Sequence, residues 1–344
     1  MKNLILAIES SCDDSCISVI DDKFNIVFER NISQIDIHKI YGGVVPELAS
    51  RCHVKYLQGI LYELKMEVSI DDISAVGVTF SPGLIGGLLS GVMMAKGICH
   101  MYNKLLIGIH HLEGHLESVN IEKEKHVKYP NLTLLVSGGH CQFILAKSFG
   151  NYAILGKTID DSVGEAFDKI GKMLGLEYPG GSKIEQKAKN GKNIMEIGKP
   201  MIDGDMNFSF SGFKTNVLRF LDNNKDKMQN VDFISDVCFT VQQRIADNLV
   251  LKTKNAIKYA KNINPEIQNF TLCGGVSANQ KIIADIQNLC NESHLTLHFP
   301  KLKYATDNST MIAFAALKRY NLGYRGNLDL GVKSRVSIEE INIL

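Results

Sequence analysis

The chain has 344 residues, 45% of them hydrophobic and 22% charged, with a formal net charge of +1. That length suits about two domains, and that hydrophobic share fills full-sized cores and excludes a disordered chain. The near-neutral balance supplies no global field for nucleic acid, so any RNA contact rests on a local patch. Lysines thicken between Lys183 and Lys199 and around Lys225 and Lys227, a pattern that serves a solvated helix face as readily as an RNA surface.

The eight cysteines are scattered, with no C-x-x-C pair; Cys12 and Cys16 are the nearest two. They read as buried thiols kept reduced. Met1 leads straight into an apolar strand with no presequence pattern. The longest apolar run, 83–95, is too short to span a bilayer. The expectation is a cytoplasmic protein without a membrane partner.

Residues 5–8 are a continuous apolar run, the mark of a strand buried on both faces. A small polar turn follows at 9–14, then strands at 17–20 and 25–29 joined as a hairpin. Pro46 opens a helix that runs past Leu64. A strand at 76–80 turns through Ser81-Pro82-Gly83 into a glycine-containing helix that packs closely on a sheet. Another strand, 105–109, ends at a cluster of histidines. The pattern then restarts: a buried strand at 132–136, the turn Ser137-Gly138-Gly139-His140, a return strand at 142–146 and a third at 152–157. Helices dominate 162–191 and 231–261. A strand at 270–273 ends in Gly274-Gly275-Val276-Ser277-Ala278-Asn279, and the last helix begins near Thr306-Asp307-Asn308. Two such units imply an internal duplication and a two-lobed α/β fold with a cleft, the lobes being 1–130 and 131–344 with the last helix returning to the cleft. Ligands of such folds sit at the carboxyl ends of the strands.

Three segments can carry chemistry. The Ser137-Gly138-Gly139 turn lets backbone N–H groups approach an anion with no Cβ in the way, or is simply a hairpin turn. The turn containing Asp13 and Asp14 occupies the equivalent place in the first repeat, where the two carboxylates orient a cation or water, or serve only the turn. Gly274-Gly275 leads to a helix N-terminus suited to an anion, at which Asn279 contacts ligand or caps the helix. In the segment His110-His111-Leu112-Glu113-Gly114-His115, helical geometry puts His111 and His115 on one face with Cβ atoms about 5–6 Å apart, right for two imidazoles on one metal ion. Structural histidines are the alternative. Glu113 is misplaced for either orientation of the zinc-protease motif. Asp307, on the returning helix, is the candidate third ligand.

Taken together, IESSCD at 8–13, YGGVVPELASR at 41–51, HHLEGH at 110–115, LVSGG at 135–139, GEAFDK at 164–169, YPGG at 178–181, FSFSG at 208–212, GGVSAN at 274–279 and TDN at 306–308 resemble the bacterial TsaD family. Its members are tRNA adenosine threonylcarbamoyltransferases once labelled O-sialoglycoprotein endopeptidases. The resemblance runs in order along essentially the whole chain. His140-Cys141 stands where His-Thr is usual, and the tail from Val332 lacks the usual proline.

The resemblance implies an actin/Hsp70/sugar-kinase architecture with RNase H-like lobes, and transfer of threonylcarbamoyl from its adenylate to N6 of the adenosine 3′ of the anticodon, in tRNAs reading codons that begin with A. By carry-over, His111, His115 and Asp307 hold iron or zinc. Leu135, Val136, Ser137, Gly138 and Gly139 cradle the nucleotide phosphates; Asp168, Gly181 and Glu185 meet the ribose; Asn279 lies by the adenosine. Asp13 is the choice for general base. The implied ligand is an adenine nucleotide, either threonylcarbamoyl-adenylate or ATP/ADP. The implied partners are tRNA, a TsaB-like paralogue and a TsaE-like ATPase. A small-molecule kinase of the same superfold and a metallopeptidase are the competing readings; a binding-only role, as in the inactive paralogue, predicts loss of the HHLEGH histidines.

Overall fold

Apolar strands buried on both faces need a layer on each side, and the chain supplies two such sheets. The computed structural model describes residues 3–194 and 205–341. Its chain divides into two compact units, one of 1–126 with 300–344 and one of 127–299. The first contains β1 (Leu4–Glu9), β2 (Asp14–Ile20), β3 (Ile26–Ser33), α1 (Ile35–His38), α2 (Pro46–Glu67), β4 (Ile73–Ser81), α3 (Ile85–Tyr102), β5 (Leu105–His110) and α4 (His111–Ser118). The second contains β6 (Asn131–Val136), β7 (Cys141–Ser148), β8 (Asn151–Lys157), α5 (Val163–Met173), α6 (Gly180–Ala188), α7 (Ser211–Asp222), α8 (Val231–Ile263), β9 (Asn269–Cys273), α9 (Gln280–Glu292) and β10 (Thr296–His298). The chain then re-enters the first unit with α10 (Ser309–Asn321).

The duplication is a matter of topology. The first sheet runs β3-β2-β1-β4-β5 and the second β8-β7-β6-β9-β10. In each, the first three strands are antiparallel, the fourth pairs in parallel with the central one, and the fifth pairs in parallel with the fourth. Leu6 faces Val76 across β1 and β4, and Leu132 faces Phe270 across β6 and β9. Every residue of β1 and of β6 is buried, as the apolar run of β1 and the largely apolar β6 require.

Two expectations change. The unit boundary lies at 126/127 rather than 130/131, and 300–344 belongs to the first unit rather than the second. The reason is α10, whose residues Met311 to Leu317 are all buried because it packs on β1, β2, β4, β5 and α4. The lysine-rich stretch to Lys199 is described only as far as residue 194, with Lys183 and Lys187 on α6.

The glycine-bearing helix α3 packs on β1 as expected. A Cβ on Gly91 would stand 2.4 Å from Ser10 Oγ, and one on Gly87 the same distance from Ser10 O. Ser10 Oγ donates to Gly87 O at 2.9 Å. The turn at 10–13 is therefore backed by a helix at backbone contact. Among the described residues no helix is long and apolar enough to cross a membrane.

Candidate metal centre and nucleotide turn

The carboxyl ends of β1, β4 and β5 bring Glu9, Ser81 and His110 to one edge of the first sheet. His110 begins the site without being a ligand. Its Nδ1 accepts from Leu112 N at 3.3 Å and caps α4, while its Nε2 donates to Val336 O at 3.0 Å. Burial pulls its pKa down to about 4, so the ring is neutral.

One turn of α4 separates His111 from His115, and their ring centroids lie 4.6 Å apart. Asp307 Oδ1 stands 3.4 Å from His111 Nε2 and 3.2 Å from His115 Nε2. The three ligand atoms lie within 4.8 Å of one another. Both His115 ring nitrogens are buried without a well-aligned hydrogen bond among the described residues, an arrangement costly unless a lone pair meets an ion. Two imidazoles and a carboxylate suit zinc or non-haem iron. These residues therefore fit a divalent metal ion.

Glu9, to which the sequence alone assigns no role, orients the His111 ring. It is fully buried. Its Oε2 lies 3.2 Å from His111 Nδ1 and accepts from Thr79 Oγ1 at 2.5 Å, and its Oε1 accepts from Ser11 N at 2.6 Å. This carboxylate holds the proton on Nδ1 and turns Nε2 towards Asp307, as carboxylate–histidine–metal triads do. Burial alone would raise Glu9 and lower His111. Their mutual attraction, with Asp307 on the other side of the ring, outweighs it: Glu9 is held below the usual carboxylate range and His111 is pushed up to about 10. Asp14 is pushed up to about 8 by burial and then by Asp307 and Asp13. Burial also raises Asp13. Carboxylates crowded in this way are relieved by a cation. Glu9→Gln keeps the shape and weakens the hold on the Nδ1 proton, so zinc affinity measured by chelator competition should fall about 10–100-fold.

Glu113 is no general base. Arg319 Nε and Nη2 donate to its two oxygens at 2.7 and 3.0 Å, and both side chains are buried. Removing one partner of such a pair costs about 3–5 kcal/mol.

In the second unit the turn at 137–139 follows β6 and Asn279 follows β9, so both lie at the carboxyl ends of those parallel strands. Leu135 and Val136 are fully buried in β6 and expose no side-chain surface. Ser137 N donates to His140 O at 2.7 Å and Ser162 Oγ donates to Gly138 O at 2.5 Å. Among the described residues the N–H groups of Gly138 and Gly139 have no protein acceptor, and a Cβ on either glycine would meet nothing within 4 Å. Gly274, at φ +91°, passes so close behind that a Cβ would lie 2.4 Å from Val136 O. Asp168 accepts from Gly180 N at 2.7 Å, which fixes the turn into Gly181. Glu185 accepts from Gln280 N at 2.7 Å. Asn279 caps α9, accepting from Ile282 N at 3.1 Å and from Gln242 Nε2 at 3.0 Å. The sequence reading left cap and ligand contact open for Asn279; the cap is what the structure contains.

The family model for TsaD, tRNA N6-adenosine threonylcarbamoyltransferase, matches residues 25–314. The chain belongs to the TsaD family. Curated relatives named tRNA N6-adenosine threonylcarbamoyltransferase include those of Wolbachia pipientis wMel, 40% identical over 97% of this chain and 98% of the relative, and Rickettsia bellii, 42% identical over 98% and 99%. That of Carboxydothermus hydrogenoformans is 38% identical over 99% of each. Among solved structures the chain is similar to HypF of T. kodakarensis, with a TM-score of 0.63 and 13% identity over 96% of this chain and 49% of HypF. It is also similar to component A of the (R)-2-hydroxyglutaryl-CoA dehydratase of Acidaminococcus fermentans, with a TM-score of 0.51 and 11% identity over 93% and 99%. The chain thus spans about half of HypF. At these identities the likeness shows the fold alone, of actin/Hsp70/sugar-kinase type. TsaD membership makes the chain a transferase, and the kinase and peptidase readings are not favoured.

Proposed function

We propose that this protein moves a threonylcarbamoyl group from threonylcarbamoyl-adenylate to N6 of the adenosine immediately 3′ of the anticodon, in tRNAs reading codons that begin with A. The supporting observation is the His111, His115 and Asp307 set in a chain that matches transferases of this name along nearly its whole length. In the reaction the N6 lone pair attacks the carbamoyl carbon. The bond from that carbon to the phosphate oxygen breaks, AMP leaves, and N6 gives up one proton. An exocyclic adenine amine is a weak nucleophile because its lone pair is delocalised into the ring, so the carbonyl needs activation. His111, His115 and Asp307 would hold a divalent ion, iron or zinc, whose Lewis acidity would polarise the acyl oxygen. An anticodon loop presents splayed bases, so its adenine is reachable without opening a duplex.

The chain's own residues do the rest. Glu9 and Ser11 hold the His111 ring. The open N–H groups of Gly138 and Gly139 take the phosphate of the leaving AMP. Asp168, Gly181 and Glu185 meet the ribose, and Asn279 borders the adenine. Asp13 takes the N6 proton; its raised pKa makes it a stronger base nearer neutral pH. Two partners complete the cycle. No segment of the chain is a G-x-x-x-x-G-K-[ST] ATPase loop, so a TsaE-like ATPase resets the enzyme. The outer faces of α2 and α3 leave Val54, Tyr62, Met66, Leu89, Met93 and Met101 exposed, an apolar surface on which a TsaB-like paralogue packs.

The test is mass spectrometry of nucleosides from unmodified tRNA incubated with the adenylate, this protein and both partners. Threonylcarbamoyl-adenosine and AMP should appear together. Asp13→Asn should lose about 10²–10⁴-fold in rate with zinc content intact. Wild type that yields no modified nucleoside under these conditions sinks the reading.

A further inference from the structure

Glu113 lies between two ligand histidines and takes no part in the reaction as derived. Its packing points to a different task. α10 crosses α4 at Gly114, where a Cβ would stand 2.7 Å from Ile312 Cδ1 and 3.1 Å from Met311 Cγ. Asp307 precedes that contact by about one turn of chain, and Lys318 and Arg319 follow it by about two turns, which returns them to the same helix face. α10 is therefore tied to α4 on both sides of a pivot. On one side Asp307 Oδ1 faces Nε2 of His111 and of His115. On the other, Arg319 forks the Glu113 carboxylate and Lys318 Nζ meets Glu117 Oε2 at 2.6 Å.

β1, β2, β4 and β5 hold α10 from the sheet side, but at the Gly114 contact α4 offers no side chain of its own to fix the crossing angle. Asp307 lies two residues before the first residue of α10, ahead of the extended cap Asn308, so a shift of the α10 N-terminus reaches the carboxylate through that short connection. Metal–ligand distances tolerate only about ±0.2 Å. On the α4 side the guanidinium fork, with two parallel hydrogen bonds to one carboxylate, adds a constraint on separation and rotation together.

We propose that Glu113 and Arg319 are a positioning pair for the metal centre: they set the angle of α10 over α4 and with it the approach of Asp307 to the two histidines. This rests on the metal reading above. Two variants of the full chain test it, with zinc ion alone as probe. Arg319→Lys keeps the charge and drops the fork. The double variant Glu113→Met/Arg319→Met removes both charges at nearly constant volume and strands neither.

Both variants should melt close to wild type and keep wild-type affinity for an adenine nucleotide, while the zinc dissociation constant rises about 10–100-fold. A folded double variant that binds zinc as tightly as wild type overturns the proposal, because an apolar brace then serves as well. A double variant that fails to fold also overturns it, since the pair is then a requirement of the fold rather than of the angle. Wild type that takes up no zinc strikes at the metal centre itself, and that result is read before any variant is made.

Discussion

Asp307→Ala should lower the single-turnover rate of threonylcarbamoyl transfer by on the order of 10²–10³-fold, the scale of one lost transition-state stabiliser. Asp307 Oδ1 is the oxygen shared by both imidazoles, and without it two nitrogens remain to hold an ion. Elemental analysis should find the variant depleted of metal. The fold should survive, because the segment is held by other groups. Asn31 Nδ2 donates to the backbone oxygen of residue 307 at 3.3 Å, Asn308 caps α10, and Thr310 Oγ1 donates to Glu29 at 2.5 Å. Adenine-nucleotide binding should persist, since the glycine turn is untouched. A variant that keeps both metal and rate would remove Asp307 from the chemistry.

Gly138→Val should cut the affinity for adenine nucleotide by about 100-fold in calorimetry while the melting temperature stays near that of wild type. The added Cβ meets no protein atom within 4 Å, and Gly138 lies outside the positive-φ region, so valine fits the unliganded chain. What it blocks is the approach of an anion to two N–H groups that no protein acceptor uses. A hundredfold corresponds to about 2.7 kcal/mol, comparable with losing charge-assisted hydrogen bonds from two donors. Unchanged affinity would move the phosphates elsewhere. A similar loss in Gly164→Ala would say little, because that Cβ would stand 2.7 Å from Ser137 O and deform the turn itself.

The sequence displayed the strands best where burial on both faces leaves a continuous apolar run, as at 4–8 in β1. It displayed the turn at Gly274 because a backbone at φ +91° pressed against Val136 O admits only glycine. β10, at three residues, is too short to carry a period. The placement of 300–344 was hidden for another reason: which sheet a helix joins is decided by packing partners far away in the chain, and α10 is apolar enough to suit either. His111 and His115 were legible from their spacing, and Asp307 from the return of its helix. Glu9 was quoted in a motif yet given no task, because its role exists only once β1 and β5 stand in the same sheet. Its signal was a glutamate closing a wholly apolar strand. Spacing alone puts Glu113 out of place for the zinc-protease motif, but the Arg319 that pairs with it lies 206 positions away.

The first unit is assembled from both ends of the chain, and this bears on how the protein is made. When residue 126 leaves the ribosome, β1, β4, β5 and α4 already exist, but the helix that covers their shared face does not. At about 5–20 residues per second, α10 arrives roughly 10–40 s later. Until then the face that α10 buries is open, and His111 and His115 wait without their carboxylate. The second unit, by contrast, is one continuous segment and can close during that wait. Order of birth thus reverses order of completion: the half begun first is finished last. The nascent chain needs shelter for an unsealed apolar sheet, and only a finished polypeptide can present all three groups to a metal ion.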